Sequence, residues 1–124
     1  MVTGLPTKLR VDLFGKAKKA QFPRQGIYIL QQNHINGRQY YVQESGLNGF
    51  WFVEAKWMLG DIKKLGEYYG SIQVLGDSVS PLNGQKWKYF NVDQWIESSN
   101  EIIISAGNFD SKKYLDIFCI YGKN

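Results

Sequence analysis

The sequence predicts an all-β fold: a small antiparallel barrel or sandwich of about eight to ten short strands, with at most one short helix near residues 61–69. Three observations carry this reading. Short apolar runs alternate with polar residues at a period of two. Glycines (13 in all) and three Asn-Gly pairs punctuate the chain at close intervals. Aromatic residues are in excess, with Trp 4, Tyr 8 and Phe 7 making up 15% of the chain. Rings suit strands because they fill a pleated, half-buried surface.

The elements follow in order. Residues 8–13 alternate strictly, so they form a strand with Leu9, Val11 and Leu13 inward. Residues 15–25 read as a basic loop ending near Pro23. Strands are predicted at 26–32 and 39–43, joined through Asn36-Gly37, whose two residues supply the positive φ angles of a tight hairpin turn. Asn48-Gly49 precedes the aromatic run at 50–53, and Asn83-Gly84 precedes another at 86–90, so the same turn-then-aromatic-strand construction is expected three times. Further strands are expected at 56–59 and at 70–75, the latter with Ser71 and Gln73 outward and Ile72 and Val74 inward. A short strand or turn holds Trp95 and Ile96, and strands at 102–104 and 114–121 complete the chain. Between 61 and 69 the Ile62/Leu65/Tyr69 spacing fits a helix face, but Gly60, Gly66 and Gly70 limit it to one or two turns or a loop. The strand starting at Leu9 and ending near Gly15 is echoed by the one from Ile102 to Gly107, each followed by a polar, basic stretch. These two similar strands are expected to lie beside each other and close the sheet.

The order of these anchors carries a resemblance. A strand ending in Gly15 is followed by Gly26-Ile27-Tyr28, Asn36-Gly37-Arg38-Gln39-Tyr40, Trp51 and Trp57, then Pro81, Trp87, Trp95 and Ile102 to Ile104. Over roughly residues 9–107 this resembles a small Trp-rich all-β unit found, often in tandem, in large uncharacterised proteins of protists and algae. The anchors are turn and core residues, so the resemblance implies a β module of repeat origin and transfers no activity. The chain departs from it in holding one unit and an added C-terminal strand.

At 124 residues and 14.3 kDa the chain is expected to be one β domain over residues 1–124, with 1–7 as a flexible N-terminus. The stretch from Leu5 to Leu13 is broken by Pro6, Lys8, Arg10 and Asp12, so no signal-peptide core is expected, and no apolar run is long enough to span a bilayer. The expected setting is therefore intracellular and cytoplasmic. One Cys and one His leave no internal disulfide and no metal site of the Cys/His type. Cys119, within Ile117-Phe118-Cys119-Ile120-Tyr121, reads as a buried inert thiol.

The chemistry expected of an enzyme is missing from the pattern. Any Ser-His-Asp or Cys-His arrangement must use His34, which falls in a hairpin loop, and no Gly-x-Ser-x-Gly occurs. Gly15-Lys16 is no P-loop, because position 10 is Arg and position 17 is Ala. The acids are scattered, with no calcium-loop spacing. No cofactor is expected, and the chain is read as a non-enzyme.

Charge and rings then point to binding. Residues 1–24 carry Lys8, Arg10, Lys16, Lys18, Lys19 and Arg24 against Asp12, a net of +5, while the rest of the chain has a net of −1, so the formal +4 arises at one end. Lys16, Lys18, Lys19 and Arg24 are candidates to meet a protein partner with an acidic surface. At least three of Trp51, Trp57, Trp87 and Trp95 are expected to fill the core, leaving Tyr41, Tyr68 and Tyr69 as exposed contact candidates. The first expectation is a non-catalytic interaction or scaffold module, a protein-binding subunit of a larger assembly. The alternative is a carbohydrate-binding, lectin-like module that stacks sugars on Tyr and Trp. A nucleic-acid-binding barrel is the weakest reading, given a net charge of only +4 gathered at one end.

Overall fold

The computed structural model describes residues 5–75, 80–83, 86–98 and 100–107. The described residues form nine strands: β1 (Lys8–Leu13), β2 (Gly26–Ile35), β3 (Arg38–Gln43), β4 (Asn48–Val53), β5 (Lys56–Asp61), β6 (Ile72–Leu75), β7 (Lys86–Asn91), β8 (Gln94–Ser98) and β9 (Ile102–Ala106). They form one antiparallel sheet in the order β8-β7-β6-β5-β4-β3-β2-β1-β9. From β1 to β8 each strand pairs with its predecessor, and β9 returns to the far edge, pairing Leu9 with Ala106 and Leu13 with Ile102. The two similar strands do lie side by side, and the sheet curls into a nearly closed barrel.

The curl is visible in one helix. Helix α1 (Gly15–Gln21) follows β1, near one end of the sheet order, yet its Gln21 Nε2 donates to Phe90 O of β7, near the other end, at 2.7 Å. Ala17 on the same helix is buried in the barrel interior. This helix stands where the sequence suggests a basic loop, while the 61–69 stretch holds only the 3-10 turn Ile62–Lys64. The reason is that the helix is capped from elsewhere. It has no acid in its first turn and no local side-chain cap. Instead the Glu101 carboxylate accepts from the Ala17 N–H at 3.1 Å and the Lys16 N–H at 3.4 Å, and Glu101 O accepts from Phe14 N–H at 2.9 Å. An acid at a helix N-terminus satisfies free amides and meets the positive end of the helix dipole. Gly15 suits this junction: its φ is +55°, and a Cβ there would run into the Glu101 carboxylate.

Strand alternation divides the side chains. Leu9, Val11, Leu13, Tyr28, Tyr41, Phe50, Trp57, Leu59, Ile72, Val74, Trp87, Tyr89 and Ile102 face one interior cluster. Phe50 sits at the centre of its rings, with Tyr28, Tyr41, Trp57 and Trp87 at centroid distances of 6.0, 6.3, 5.9 and 5.9 Å. The opposite face of β4 and β5 is also dry. Trp51, Val53 and Met58 form a second cluster with Tyr40 and Leu65, and Trp51 Nε1 donates to Glu67 O at 2.9 Å. The segment after β5 therefore lies over the outside of the sheet and is held there. Three of the four Trp are buried, as the ring-filled core requires.

The Asn-Gly pairs differ in use. Asn36-Gly37 makes the β2–β3 hairpin, with φ of +55° and +83°. Asn48-Gly49 is strand: Asn48 binds Pro23 O and Gln43 Oε1 through Nδ2, and Gly49 makes room for Ile62 and Leu65, which a Cβ would approach to 3.1 and 3.2 Å. The β4–β5 turn is made by Glu54 and Ala55, both at positive φ. Gly84 of the third pair, the 114–121 strand and Cys119 lie outside the described residues. Within the expected flexible N-terminus, residues 5–7 are bound: Leu5 packs on the core, Pro6 O accepts from Tyr41 and Thr7 O accepts from Leu30 N–H. Among the described residues no helix is long and apolar enough to cross a membrane.

Candidate functional site

Strands β6, β7 and β8 turn Ile72, Val74, Trp87, Tyr89 and Ile96 toward the interior cluster, so alternation sends Gln73, Lys88, Phe90 and Trp95 to the outer face. The registers place Gln73 opposite Lys88 and Phe90 opposite Trp95. The chain entering β6 runs along the same face and adds Tyr68, Tyr69, Gly70 and Ser71. Together these residues line a cavity of about 360 Å³, at the small end of ligand pockets.

Its walls are held rather than loose. Ser71 N–H donates to Leu59 O and Ser71 O accepts from Phe90 N–H, both at 2.9 Å. Phe90 and Trp95 meet edge to face at 5.4 Å. Lys88 Nζ lies 5.0 Å from the Trp95 ring centroid, and Lys64 Nζ lies 4.9 Å from that of Tyr69. Cations over ring faces are favourable and fix the rings' presentation. Tyr68, Tyr69 and Trp95 remain exposed, Trp95 at 39%.

Gln73 is the unusual member. It lines the cavity with only 6% of its surface exposed, and its Oε1 has no hydrogen-bond partner among the described residues. A buried acceptor left unpaired costs roughly 1–3 kcal/mol. A ligand donor placed in this cavity would recover that cost.

The other candidate residues are distributed differently. Lys16, Lys18 and Lys19 are exposed on α1, beside exposed Phe14 and Phe22. Lys18 and Phe14 border a second depression of about 510 Å³ over β1 and β2. Arg24 is not available as a surface cation: its Nη1 donates to Asn48 Oδ1 at 2.6 Å and its Nη2 to Ser71 Oγ at 2.9 Å. Tyr41 is corrected too, because strand parity turns it into the interior, where its hydroxyl donates to Pro6 O at 2.7 Å, while Tyr40 takes the outer face. Burial pushes the Tyr41 phenol well above its ordinary range, and does the same to Tyr28 against a smaller opposing pull from Arg24. His34 is exposed within β2, paired in register with Gln39, not in the loop.

Of the predicted contacts, then, the fold brings Tyr68 and Tyr69 together at one cavity and keeps the three lysines on one helix. Gln73, Lys88 and Phe90 were not singled out from sequence. Their signal is the alternation Trp87-Lys88-Tyr89-Phe90, which puts a cation and a ring on the face opposite two core rings. Among the described residues no three His, Cys, Asp or Glu side chains gather as a metal centre. No family model, curated protein or solved structure matches the chain.

Proposed function

We propose that the protein is a non-catalytic binding module that holds a carbohydrate in the cavity over β6, β7 and β8. The observation that supports this is the convergence of the exposed rings of Tyr68, Tyr69 and Trp95 on one small cavity with an unpaired buried amide oxygen, Gln73 Oε1. Sugar rings offer apolar C–H faces for stacking and hydroxyl donors at their edges, and this cavity presents one partner for each. The cavity stands on the outside of a barrel whose interior is filled, so ligand contact requires no opening of the core. A glycan array with a tryptophan-fluorescence titration of its best hits tests the reading. Saturable quenching that is lost in Trp95→Ala supports it; a blank array and a flat titration overturn it.

A second site favours a protein partner. Lys16, Lys18 and Lys19 stand exposed between Phe14 and Phe22, the latter 60% exposed, so α1 offers positive charge beside apolar rings. That mixture suits an acidic protein surface with an apolar centre. Cross-linking in the native assembly tests this reading: adducts from the α1 lysines to a neighbour support it, and their absence counts against it.

A further inference from the structure

We propose that the saccharide held over β6, β7 and β8 is acidic, a sugar bearing a carboxylate or sulfate group that pairs with Lys88. This deepens the carbohydrate reading and rests on it. The observations concern charge at the cavity. Of its lining residues only Lys88 is charged, and no acid is among them. Lys88 is half-buried and has no ion-pair partner among the described residues. A second cation, Lys64, stands on the Tyr69 ring at the rim. An ammonium held partly out of water, with a ring face but no anion beside it, is incompletely compensated, and an anion there gains a charge-assisted hydrogen bond.

The geometry divides the ligand's needs among separate groups. Lys88 Nζ covers one face of the Trp95 ring, so a sugar that meets the exposed remainder of the indole carries an acidic substituent within reach of Nζ. Gln73 stands opposite Lys88 in register, so a hydroxyl of the same sugar reaches Oε1. Glu97 sits opposite Lys88 on the other side, in β8, and does not line the cavity. It lowers the positive potential at Lys88 without occupying the site, so its carboxylate competes with the ligand's. The pocket is thus selective by charge, with Glu97 setting how strongly it selects.

A nucleic acid fits this arrangement less well. A nucleic-acid strand needs a track of cations along its phosphates. Here Lys16, Lys18 and Lys19 lie on α1, away from this cavity, and Lys18 borders the separate depression over β1 and β2.

The test is calorimetric titration of the full chain with four probes: a trigalacturonate, its carboxyl-reduced neutral counterpart, a sulfated galactose trimer and a single-stranded oligonucleotide. The acidic trimers are expected to bind about tenfold more tightly than the neutral one, with the preference shrinking as salt is raised. The galacturonate and sulfate arms tell which acidic group is preferred. Lys88→Gln is expected to abolish the preference, so that acidic and neutral trimers bind equally, whatever the loss of its contact with the Trp95 ring does to both affinities. Glu97→Gln is expected to tighten acidic binding about twofold to fivefold. Equal affinity for acidic and neutral trimers overturns the charge inference but leaves the carbohydrate reading standing. A preference for the acidic trimers that survives Lys88→Gln also overturns it. Failure of every saccharide overturns both, and so does an oligonucleotide that outcompetes the acidic trimers.

Discussion

Replacing Phe50 probes how the barrel is held together. Its ring is fully buried and touches Tyr28, Tyr41, Trp57 and Trp87 at centroid distances between 5.9 and 6.3 Å, three of the four edge to face. Phe50→Ala removes the ring and leaves a cavity that four large side chains, each held by its own strand, cannot collapse into. The expected loss is about 3–5 kcal/mol, the usual range for a buried phenylalanine, and toward its upper end because the site cannot relax. Phe50→Leu keeps most of the apolar burial and loses the ring contacts. Each aromatic pair is worth about 0.5–1.5 kcal/mol beyond area, and the pairs do not add fully, so about 2 kcal/mol is expected for Leu. Urea unfolding followed by near-ultraviolet circular dichroism and tryptophan emission measures both, with the m-value unchanged if only stability shifts. A native stability of about 5–15 kcal/mol leaves Phe50→Ala folded but marginal in the lower part of that range. A cost below about 1 kcal/mol for Phe50→Ala, or equal costs for Leu and Ala, would mean that no packed ring cluster centres on this residue.

Three other perturbations have defined outcomes. Glu101→Ala removes the trans cap of α1 and is expected to cost about 1–2 kcal/mol, with Glu101→Gln retaining about half of it; equal stability of all three proteins in thermal melts would deny the capping role. The buried phenols of Tyr28 and Tyr41 resist ionisation in the folded state, so the unfolded chain gives up protons first once pH passes the ordinary tyrosine value of 10.0. Stability is therefore complete below that pH and falls above it, by about 1.4 kcal/mol per pH unit for each of the two, and Tyr28→Phe should remove one share; urea midpoints that stay flat from pH ~9 to ~11 would contradict this. At the β7–β8 turn, Val92 is 88% exposed at a φ of +61°, with Asp93 N–H donating to Asn91 O at 2.6 Å to close a γ-turn. A β-branched residue is strained there, so Val92→Gly is expected to stabilise the protein by about 0.5–1 kcal/mol, seen as a higher melting temperature.

Much of the barrel is legible in the chain because its information is local. β1 is read to the residue from the alternation of Leu9, Val11 and Leu13, and the β2–β3 hairpin from Asn36-Gly37. The pairing of β1 with β9 is long-range, and it is legible only because the two strands resemble each other. What the pattern hides is set by distant partners. Helix α1 lacks its own cap because Glu101 supplies one from the other end of the chain. Asn48-Gly49 has the chemistry of a turn, yet Arg24, Gln43 and Pro23 claim the Asn48 side chain and the 62–65 segment claims the space above Gly49. Arg24 reads as a surface cation until Asn48 and Ser71 are brought to it. At the site, Tyr68 and Tyr69 are legible from their polar neighbours. Tyr41 is misjudged by one residue, since a single step along a strand exchanges the two faces and gives Tyr40 the outer one. Gln73 could not be singled out, because the meaning of an outward glutamine depends on which side chains, here Tyr68, Tyr69 and Lys88, the fold brings around it.

The most direct check of where this protein binds is a heteronuclear NMR titration of the labelled full chain with trigalacturonate. Shifts should gather on Tyr68, Tyr69, Ser71, Gln73, Lys88 and the Trp95 indole, with the interior rings around Phe50 unmoved. Shifts confined to α1, or spread through the barrel core, would contradict a ligand site on the outer face of β6, β7 and β8.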